Sequence, residues 1–466
     1  MMGIGGIAMG TLAAMLKERG LQVMGSDRNL YPPMSTHLED LQIPVCQGYR
    51  AENIQNHSPD LVVVGNVVRR ENPEAQFVME RNVPYLSMPQ AIEKFFLSDH
   101  RSVVVAGTHG KSTTASLLAW VLAYGGVDPS AFIGAFVKNW ERSYRLGKGP
   151  YMVIEGDEYD TAFFDKGPKF LHYRPTIGVV TSIEFDHADI FPNFEAVLAA
   201  FRRFVHLIPS SGYLIANADD PNCMVLAREC KGNVVTYGAS SHADWRLLDV
   251  DYRSGEVHFR LQSSGNGTTA MVSRLAGRHN LSNLLAVLAA AHLVGLTVDQ
   301  VQESMIAFRG VKRRQDIVGE CNGVLIMDDF AHHPTAVRET VQALRLHYPE
   351  RRLVAVFEPR TSSSKRRVFQ SAYATAFSDA DWICIKQPPD LERIPDAERL
   401  DAAQLVQDIR KEGKEALFFE DTGGLLTYLA EHCLSGDLVL CMSNGSFDGL
   451  PSKLLEALRT AADSQR

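Results

Sequence analysis

The sequence predicts an α/β fold in which helices surround several parallel sheets. Short apolar runs rich in valine and isoleucine are typical of strands that are buried on both faces, and amphipathic stretches of helical length separate them. The strand runs include 61–64, 103–105, 152–154, 177–183 and 353–356, and the helical stretches include 10–19, 111–124 and 335–347. This alternation is the pattern of β-α-β units, and glycine-rich turns near Gly3 and Gly107 each indicate the start of a sheet.

The chain is long enough for more than one such domain. Its 466 residues exceed the roughly 100 to 200 residues of one domain. A turn at 308–311 precedes a basic pair and a new strand at 323–327. We therefore predict three domains, at residues 1–98, 99–311 and 312–466.

Composition and charge exclude several classes of protein. Hydrophobic residues make up 45% and charged residues 22%, which indicates a globular chain rather than a disordered one. The net charge is −8, from 47 basic and 55 acidic residues, so we expect neither nucleic acid nor an anionic membrane surface as a partner. The polar residues inside the apolar run 281–298 favour a buried helix over a membrane span.

The cysteines and the start of the chain point to a reducing compartment. The seven cysteines are scattered and form no C-x-x-C pair, which argues against a disulfide framework or a zinc site. The first residues show no basic segment followed by an apolar one, the pattern of a secretory leader. We expect a cytoplasmic protein.

The strongest local motif follows the strand run 103–105. A glycine turn leads into Lys-Ser and then directly into a helix, whose N-terminus would bind phosphate. Lys111 would reach the β- and γ-phosphates and the Ser112 hydroxyl would hold Mg²⁺, although Val105 stands where the general P-loop pattern has glycine. The alternative is a tight strand-helix turn that binds nothing. The candidate ATP-binding residues here are Gly107, Thr108, His109, Gly110, Lys111, Ser112 and Thr113.

Two acidic segments follow strands downstream of this motif. Glu155 opens the segment 155–160, and the segment 184–189 contains His187. Carboxyl ends of parallel strands line the crevice where open α/β sheets bind ligands. A carboxylate with an imidazole suits Mg²⁺ or Mn²⁺ beside the phosphates, whereas a single acidic loop is usually a solvated surface.

A third group of polar residues lies further along the chain. Asn280 and Asn283 are one helical turn apart and could bind the edge of an adenine, while Asp329 could accept from ribose hydroxyls. Helix capping is an equal alternative for the asparagines. Neighbouring histidines such as His332 and His333 more often form structural hydrogen bonds than bind a metal ion.

The N-terminal glycines form a weak dinucleotide fingerprint. The pattern G-x-G-x-x-A begins at Gly3, and Asp27 follows Gly6 by 21 residues, close to the spacing of an acid that binds ribose. The fingerprint should follow a strand, yet only Met1 and Met2 precede it.

Together these motifs resemble the Mur ligase family over essentially the whole chain. The segment 107–114 resembles the P-loop variant of that family, and 279–283 and 328–334 are similar to its adenine and ribose motifs. The segments 158–166 and 442–447, with Tyr31-Pro32-Pro33-Met34-Ser35, resemble the branch that attaches a tripeptide to UDP-N-acetylmuramate.

The resemblance implies a Rossmann-like UDP-sugar domain, a central P-loop ATPase-like domain with a parallel sheet, and a C-terminal Rossmann-like domain for the amine substrate. It implies an ATP-dependent amide ligase that joins UDP-N-acetylmuramate to the murein tripeptide L-alanyl-γ-D-glutamyl-meso-diaminopimelate, with Mg²⁺ or Mn²⁺, as a monomer or homodimer. The resemblance implies that catalysis depends on Lys111, Glu155, His187 and Arg314, and that a metal ion is bound by Ser112, Glu155 and His187. It implies that ATP is bound by the P-loop together with Asn280, Asn283 and Asp329. It implies that the UDP-sugar is bound by Gly3, Gly5, Gly6, Ser26 and Asp27, and the peptide by His332, Arg360, Asn444 and Ser446.

Two features depart from other members of the family. Arg202 and Arg203 occupy the neighbourhood in which some Mur ligases carry a carbamoylated lysine. The Asp-Asn-Pro-Arg motif of the ligase that adds diaminopimelate is absent from the sequence. The resemblance therefore implies that other groups recognise the tripeptide.

Four alternatives stay open at this point. A ligase of the same family could add L-alanine alone to UDP-N-acetylmuramate. A dinucleotide-dependent oxidoreductase would use the N-terminal glycines and Asp27 but leaves the P-loop unexplained. A P-loop ATPase would hydrolyse ATP without either co-substrate, and a UDP-sugar sensor would release no phosphate.

Overall fold

The computed structural model describes residues 1–30, 34–253, 255–263 and 267–464, in which the chain forms two compact units. The first unit comprises residues 1–185, 193–246 and 284–308, and the second comprises 186–192, 247–283 and 309–466. Tyr31, Pro32 and Pro33, part of the segment noted above, lie outside the described residues.

The first unit begins with two pairs of short parallel strands. Its elements are α1 (Ile7–Glu18), β1 (Gly25–Asp27), α2 (Met34–Asp40), β2 (Val45–Gln47), α3 (Ala51–Gln55), β3 (Val62–Val64), α4 (Pro73–Glu80), β4 (Tyr85–Ser87) and α5 (Met88–Ile92). Strand β1 pairs with β2 and β3 pairs with β4. Met2 forms parallel bridges to Ser26 and to Val64, so this one residue takes the place of the expected first strand.

The larger sheet of the first unit carries the glycine turn of the P-loop motif. Its elements are β5 (Arg101–Ala106), α6 (Lys111–Tyr124), β6 (Ser130–Val137), β7 (Arg142–Arg145), β8 (Tyr151–Gly156), β9 (Asp160–Ala162), β10 (Asp165–Pro168), β11 (Ile177–Val180), α7 (Phe194–His206), β12 (Tyr213–Asn217), α8 (Pro221–Ala227), β13 (Asn233–Gly238) and the start of β14 (Trp245–Arg253). The strands run in the order β13-β12-β11-β5-β8-β6-β7, all parallel except β7. Strand β5 is thus central, with β11 and β8 as neighbours, and the strand predicted to reach residue 183 ends at Val180.

Strand β5 and the apolar helix supply the core of this unit. Val103, Val104 and Val105 are fully buried, as a strand covered on both faces requires. The apolar run predicted as a buried helix lies largely in α9 (Arg278–Val294), where residues 284–291 are at most 1% exposed. Helix α10 (Val298–Ile306) follows it. Within the described ranges, no helix combines the length and the apolar character needed to cross a membrane.

The second unit contains a hairpin and a six-stranded sheet. Its elements are β15 (Glu256–Ser263), β16 (Gly267–Ser273), β17 (Asp316–Cys321), β18 (Val324–Asp329), α11 (Pro334–His347), β19 (Arg352–Phe357), α12 (Gln370–Ala376), β20 (Trp382–Lys386), α13 (Ala402–Lys411), β21 (Glu415–Phe419), α14 (Thr422–His432), β22 (Asp437–Met442) and α15 (Leu450–Ser464). The sheet order is β17-β18-β22-β19-β20-β21, with only β17 antiparallel. The carboxyl ends of β18, β22, β19 and β20 therefore meet at one edge of the sheet.

Candidate active site

The loop between β5 and α6 has the geometry of a phosphate-binding turn. Gly107 has φ 137° and Gly110 has φ 81°, conformations that residues with a Cβ rarely adopt. A Cβ on Gly107 would also lie 2.0 Å from Thr181 Oγ1, so glycine is required there. Helix α6 begins at Lys111 without a capping side chain. A helix N-terminus of this kind is a general binding site for a phosphate group.

The segment after β11 holds this loop in place. Thr108 N donates to Ser182 O at 2.8 Å, and Glu184 N donates to Thr108 Oγ1 at 2.9 Å. His109 N donates to Ser182 Oγ at 3.1 Å, and His109 Nε2 lies 3.2 Å from Glu184 Oε2. The segments that follow the neighbouring strands β5 and β11 thus fix each other by hydrogen bonds.

The Lys111 ammonium is bound by a buried carboxylate. Its Nζ donates to Glu158 Oε2 at 2.9 Å and to Gly107 O at 2.7 Å. The Lys111 side chain is 11% exposed and the Glu158 side chain is 2% exposed. Burial alone would lower the pKa of Lys111, but the charges of Glu158, Asp157 and Glu155 outweigh burial and raise the pKa. Lys111 is therefore firmly cationic.

Ser112 and Glu155 form a site suited to a divalent cation. Ser112 Oγ donates to Glu155 Oε1 at 2.7 Å, and Gly134 N donates to Glu155 Oε2 at 2.7 Å. Burial, and then the charge of Asp157, raise the pKa of Glu155. A divalent cation would offset this unfavourable burial, and a hydroxyl with a carboxylate is the oxygen donor set that Mg²⁺ prefers. Thr113, in the first turn of α6, is half-buried.

His187, the third predicted metal ligand, belongs to the second unit. It has φ 53°, and its N–H donates to Asp186 Oδ1 at 2.6 Å. Burial would raise the pKa of Asp186, but His187, His332 and His333 outweigh burial and hold that pKa well below its usual range. The loop around His187 thus keeps an ionised carboxylate among three imidazoles.

The predicted adenine-binding asparagines contact each other. Asn280 Nδ2 donates to Ala276 O at 2.8 Å and to Gln315 Oε1 at 3.3 Å, and Asn283 Nδ2 donates to Asn280 Oδ1 at 3.3 Å. Both asparagines are 6% exposed. Their side chains therefore form a buried polar network rather than a helix cap, and a role in binding adenine stays a prediction.

Asp329 and Arg314 lie in the same part of the second unit. Asp329 accepts from Gln315 N at 2.6 Å and from Ala331 N at 2.7 Å. Burial raises the pKa of Asp329 despite the opposing charge of Arg314. The Arg314 guanidinium lies 4.5 Å from the centre of the Phe330 ring. Asp329 thus shapes its own loop, and each carboxylate oxygen still has a second lone pair for a ligand hydroxyl.

The N-terminal glycines already use their N–H groups within the protein. Gly3 N donates to Ser26 O at 2.8 Å, Gly6 N to Gly3 O at 3.4 Å, and Gly5 N to Asp27 Oδ2 at 2.8 Å. Asp27 therefore occupies the very N–H group of Gly5 that was predicted to contact pyrophosphate. A bound pyrophosphate at this group has to displace the Asp27 carboxylate.

A buried acid that the sequence did not reveal lies behind Ser26. Glu74 is fully buried, accepts from Ser26 Oγ at 2.5 Å and from Asn53 Nδ2 at 2.6 Å. This carboxylate fixes the position of β1 beside the glycine loop. It lies in α4 with no local motif, so nothing in the sequence distinguished it from a surface glutamate.

The predicted peptide-binding residues follow strand ends in the second unit. Arg360 Nη1 lies 3.4 Å from both carboxylate oxygens of Glu358, and Asn444 Oδ1 is buried with no partner among the described residues. Ser446 is exposed, and His332 Nδ1 contacts Phe330 O at 2.9 Å. Glu358 was not among the residues predicted from the sequence, although it directly follows β19 and so has the same position after a strand that led to the prediction of Arg360.

The structure thus brings the predicted residues together in separate groups. The P-loop residues and Glu155 form one group in the first unit, and the N-terminal residues form another. The second unit contains His187, Arg314, Asp329, His332, Arg360, Asn444 and Ser446, together with Asn280 and Asn283.

Three family models match this chain, and it belongs to the Mur ligase family. The Mur ligase family catalytic domain matches residues 1–100, the Mur ligase middle domain 105–291, and the glutamate ligase domain of Mur ligases 313–445. These matches agree with the predicted three-domain α/β architecture.

Individual relatives match over nearly the full length. The UDP-N-acetylmuramate–L-alanyl-γ-D-glutamyl-meso-2,6-diaminoheptandioate ligase of Escherichia coli K12 is 38% identical over 99% of this chain and 98% of its own length. The UDP-N-acetylmuramate–L-alanine ligase of Caldanaerobacter subterraneus subsp. tengcongensis is 32% identical over 97% and 96%. The crystal structure of a murein peptide ligase from Psychrobacter arcticus matches with a TM-score of 0.74 and 31% identity, covering 98% of both chains.

Proposed function

We propose that this protein is an ATP-dependent ligase that joins UDP-N-acetylmuramate to L-alanyl-γ-D-glutamyl-meso-diaminopimelate, a tripeptide recovered from old cell wall. The observation that carries the proposal is the P-loop of the first unit, where Lys111, Ser112 and Glu155 combine a phosphate-binding turn with a cation site. This arrangement is expected of a Mur ligase and not of an oxidoreductase.

The reaction proceeds in two steps. The lactyl carboxylate of the sugar attacks the γ-phosphorus of ATP, so that an acyl phosphate forms and ADP leaves. The deprotonated peptide amine then attacks the acyl carbon and phosphate leaves. The protein contributes positioning and charge neutralisation rather than covalent chemistry.

Named residues carry these contributions. Lys111, which pairs with Glu158 at 2.9 Å, would bind the β- and γ-phosphates of ATP, because these carry more negative charge than one carboxylate. Ser112 and Glu155 would hold Mg²⁺, with His187 as a further ligand, and the cation would neutralise charge on the phosphates. Arg314 would neutralise charge that develops on the γ-phosphate, and the nucleoside would be bound by Asn280, Asn283 and Asp329.

The tripeptide is preferred to L-alanine because the second unit offers more polar groups than alanine can satisfy. Arg360, Asn444 and Ser446 supply side chains for a peptide with several carboxylates. Free L-alanine would leave some of them unmatched, which disfavours the smaller substrate by roughly a hundredfold. The higher identity to the tripeptide ligase of E. coli supports the same choice.

A competition experiment tests this function. Equal concentrations of tripeptide and L-alanine are supplied with ATP, Mg²⁺ and UDP-N-acetylmuramate, and the product masses are read out. The tripeptide adduct should dominate by about a hundredfold. A dominant alanine adduct would identify the protein as an L-alanine ligase.

Phosphate release separates the remaining alternatives. A ligase releases phosphate only when both co-substrates are present. Release with ATP alone would indicate an ATPase, and no release under any condition would indicate a sensor. We place the reaction in the cytoplasm, where ATP and nucleotide sugars occur.

A further inference from the structure

Four charged side chains alternate in sign at one edge of the sheet in the second unit. Glu358 directly follows β19, and Lys386 is the last residue of the neighbouring strand β20. Arg360 lies two residues beyond Glu358, and Asp448 lies in the loop after β22. Carboxyl ends of neighbouring parallel strands are where open α/β sheets bind ligands.

The two central members of this row are buried. Glu358 is fully buried and accepts from Lys386 Nζ at 2.7 Å and from Ser443 Oγ at 2.7 Å. The Lys386 side chain is 8% exposed. Such a buried pair contributes little net stability, but it fixes the geometry of the groups bound to it.

The two outer members reach the surface, with opposite charges. The Arg360 side chain is 33% exposed and lies 3.4 Å from Glu358, while the Asp448 side chain is 49% exposed and lies 3.5 Å from Lys386 Nζ. Thr422 Oγ1 donates to Asp448 Oδ2 at 2.6 Å. That hydrogen bond and the charge of Lys386 lower the pKa of Asp448, so it remains a carboxylate.

The loop after β22 is shaped to accommodate Arg360. A Cβ on Gly445 would lie 2.1 Å from Arg360 Cδ, so only glycine lets the arginine lie against this loop. In the same loop, Asn444 Oδ1 is buried without a partner among the described residues. A buried acceptor of this kind is unusual unless a ligand completes it.

We propose that Arg360 and Asp448 are a specificity-determining pair that binds the carboxylate and the ammonium on the last chiral carbon of the peptide's diaminopimelate residue. This inference rests on the proposed function and adds the group that is recognised. A carbon with one carboxylate and one ammonium matches a cation and an anion that flank the same buried ion pair. The guanidinium binds the carboxylate through paired N–H groups and Asp448 accepts from the ammonium.

Three peptides separate the two contacts. All begin with L-alanyl-γ-D-glutamate, and their third residues are meso-diaminopimelate, L-lysine, which lacks the terminal carboxylate, and 2-aminopimelate, which lacks the terminal ammonium. We would measure kcat/KM for each peptide with the full-length wild type, Asp448→Asn and Arg360→Gln. Asp408→Asn, at a half-buried acid on α13 that accepts from Gln404 and Lys411, makes the same charge change elsewhere in the unit.

Each substitution should reduce the preference of the enzyme for one chemical group of the peptide. Asp448→Asn should lower the preference for diaminopimelate over 2-aminopimelate by about tenfold, and Arg360→Gln should lower the preference over lysine by a similar factor. Asp408→Asn should leave both ratios unchanged. The proposed role of Arg360 and Asp448 would be overturned if both variants kept the wild-type ratios of kcat/KM between peptides. It would also be overturned if kcat/KM fell by the same factor with all three peptides. If the wild type ligates none of the peptides, the proposed function itself fails.

Discussion

Lys111 Nζ lies 2.9 Å from Glu158 Oε2, in a pair that is almost completely buried. The lysine that should neutralise ATP phosphates is thus also the partner of a buried carboxylate of the protein. Because the ammonium has to exchange one anion for another, Glu158 influences both the stability of the fold and the affinity for ATP.

Lys111→Ala should abolish ligation and also destabilise the protein. The substitution removes the point charge at the phosphates and leaves Glu158 buried without its cation, which costs about 3 kcal/mol. The double variant Lys111→Ala/Glu158→Gln should recover most of the lost stability and none of the activity. Denaturant unfolding and phosphate release measure the two effects.

The result for the single variant distinguishes catalysis from folding. If folded Lys111→Ala retained more than a few per cent of turnover, Lys111 would not contact the phosphates. If the double variant were no more stable than the single one, the pair with Glu158 would not carry the cost.

The sequence predicted the parallel sheets and the P-loop because both depend on local patterns. Apolar runs and a glycine-Lys-Ser turn are contiguous, so β5 and α6 were located within a few residues. The partners that neutralise buried charges are not contiguous. Lys111 and Glu158 are 47 residues apart, and no local pattern pairs them.

The same limit explains the N-terminal loop. The sequence suggested free glycine N–H groups, whereas Asp27 binds the N–H of Gly5 from 22 residues away. The sequence shows that too few residues precede the glycine loop for a full strand. That Met2 replaces this strand could not be predicted, because its bridges go to Ser26 and Val64, which lie in two strands far along the chain.

Glu155→Gln should raise the Mg²⁺ concentration needed for half-maximal ligation, because an amide replaces the charged ligand beside Ser112. His187→Ala should act in the same direction. Since His187 has φ 53°, His187→Asn is the better tolerated variant and separates loss of imidazole from backbone strain. Mg²⁺ titrations with Asp408→Asn as the control measure this. Unchanged curves for the Glu155 and His187 variants would make these residues structural.

Asp328→Asn should stabilise the protein more at pH 8 than at pH 5. Burial raises the pKa of Asp328 to about 6. The positive charge of Arg313 opposes this shift, and the negative charges of Asp329 and Asp316 add to it. A raised pKa means that the folded state binds the proton more tightly, so the contribution of Asp328 to stability is lost as pH rises from about 4 to about 6. An uncharged asparagine avoids this loss, which amounts to at most about 3 kcal/mol.

Urea unfolding of wild type and Asp328→Asn at both pH values measures the difference. Other titrating groups are common to both proteins and cancel in the comparison. A stability difference that is the same at pH 5 and pH 8 would contradict the raised pKa of Asp328.

Gly5→Ala should weaken UDP-N-acetylmuramate binding by tenfold or more, a loss of at least about 1.4 kcal/mol of binding free energy, and should weaken it more than Gly6→Ala does. A Cβ on Gly5 would lie 2.9 Å from Asp27 Oδ2 and 3.2 Å from Leu30 Cδ1, so it disturbs the carboxylate that faces the loop. A Cβ on Gly6 meets only Gly3 O, at 3.7 Å. Calorimetric titration of both variants with UDP-N-acetylmuramate and with NADPH measures the effect. We predict that the glycine loop binds a UDP-sugar, so wild type should bind the sugar nucleotide and not NADPH. Tight NADPH binding without UDP-sugar binding would reverse the assignment of this domain.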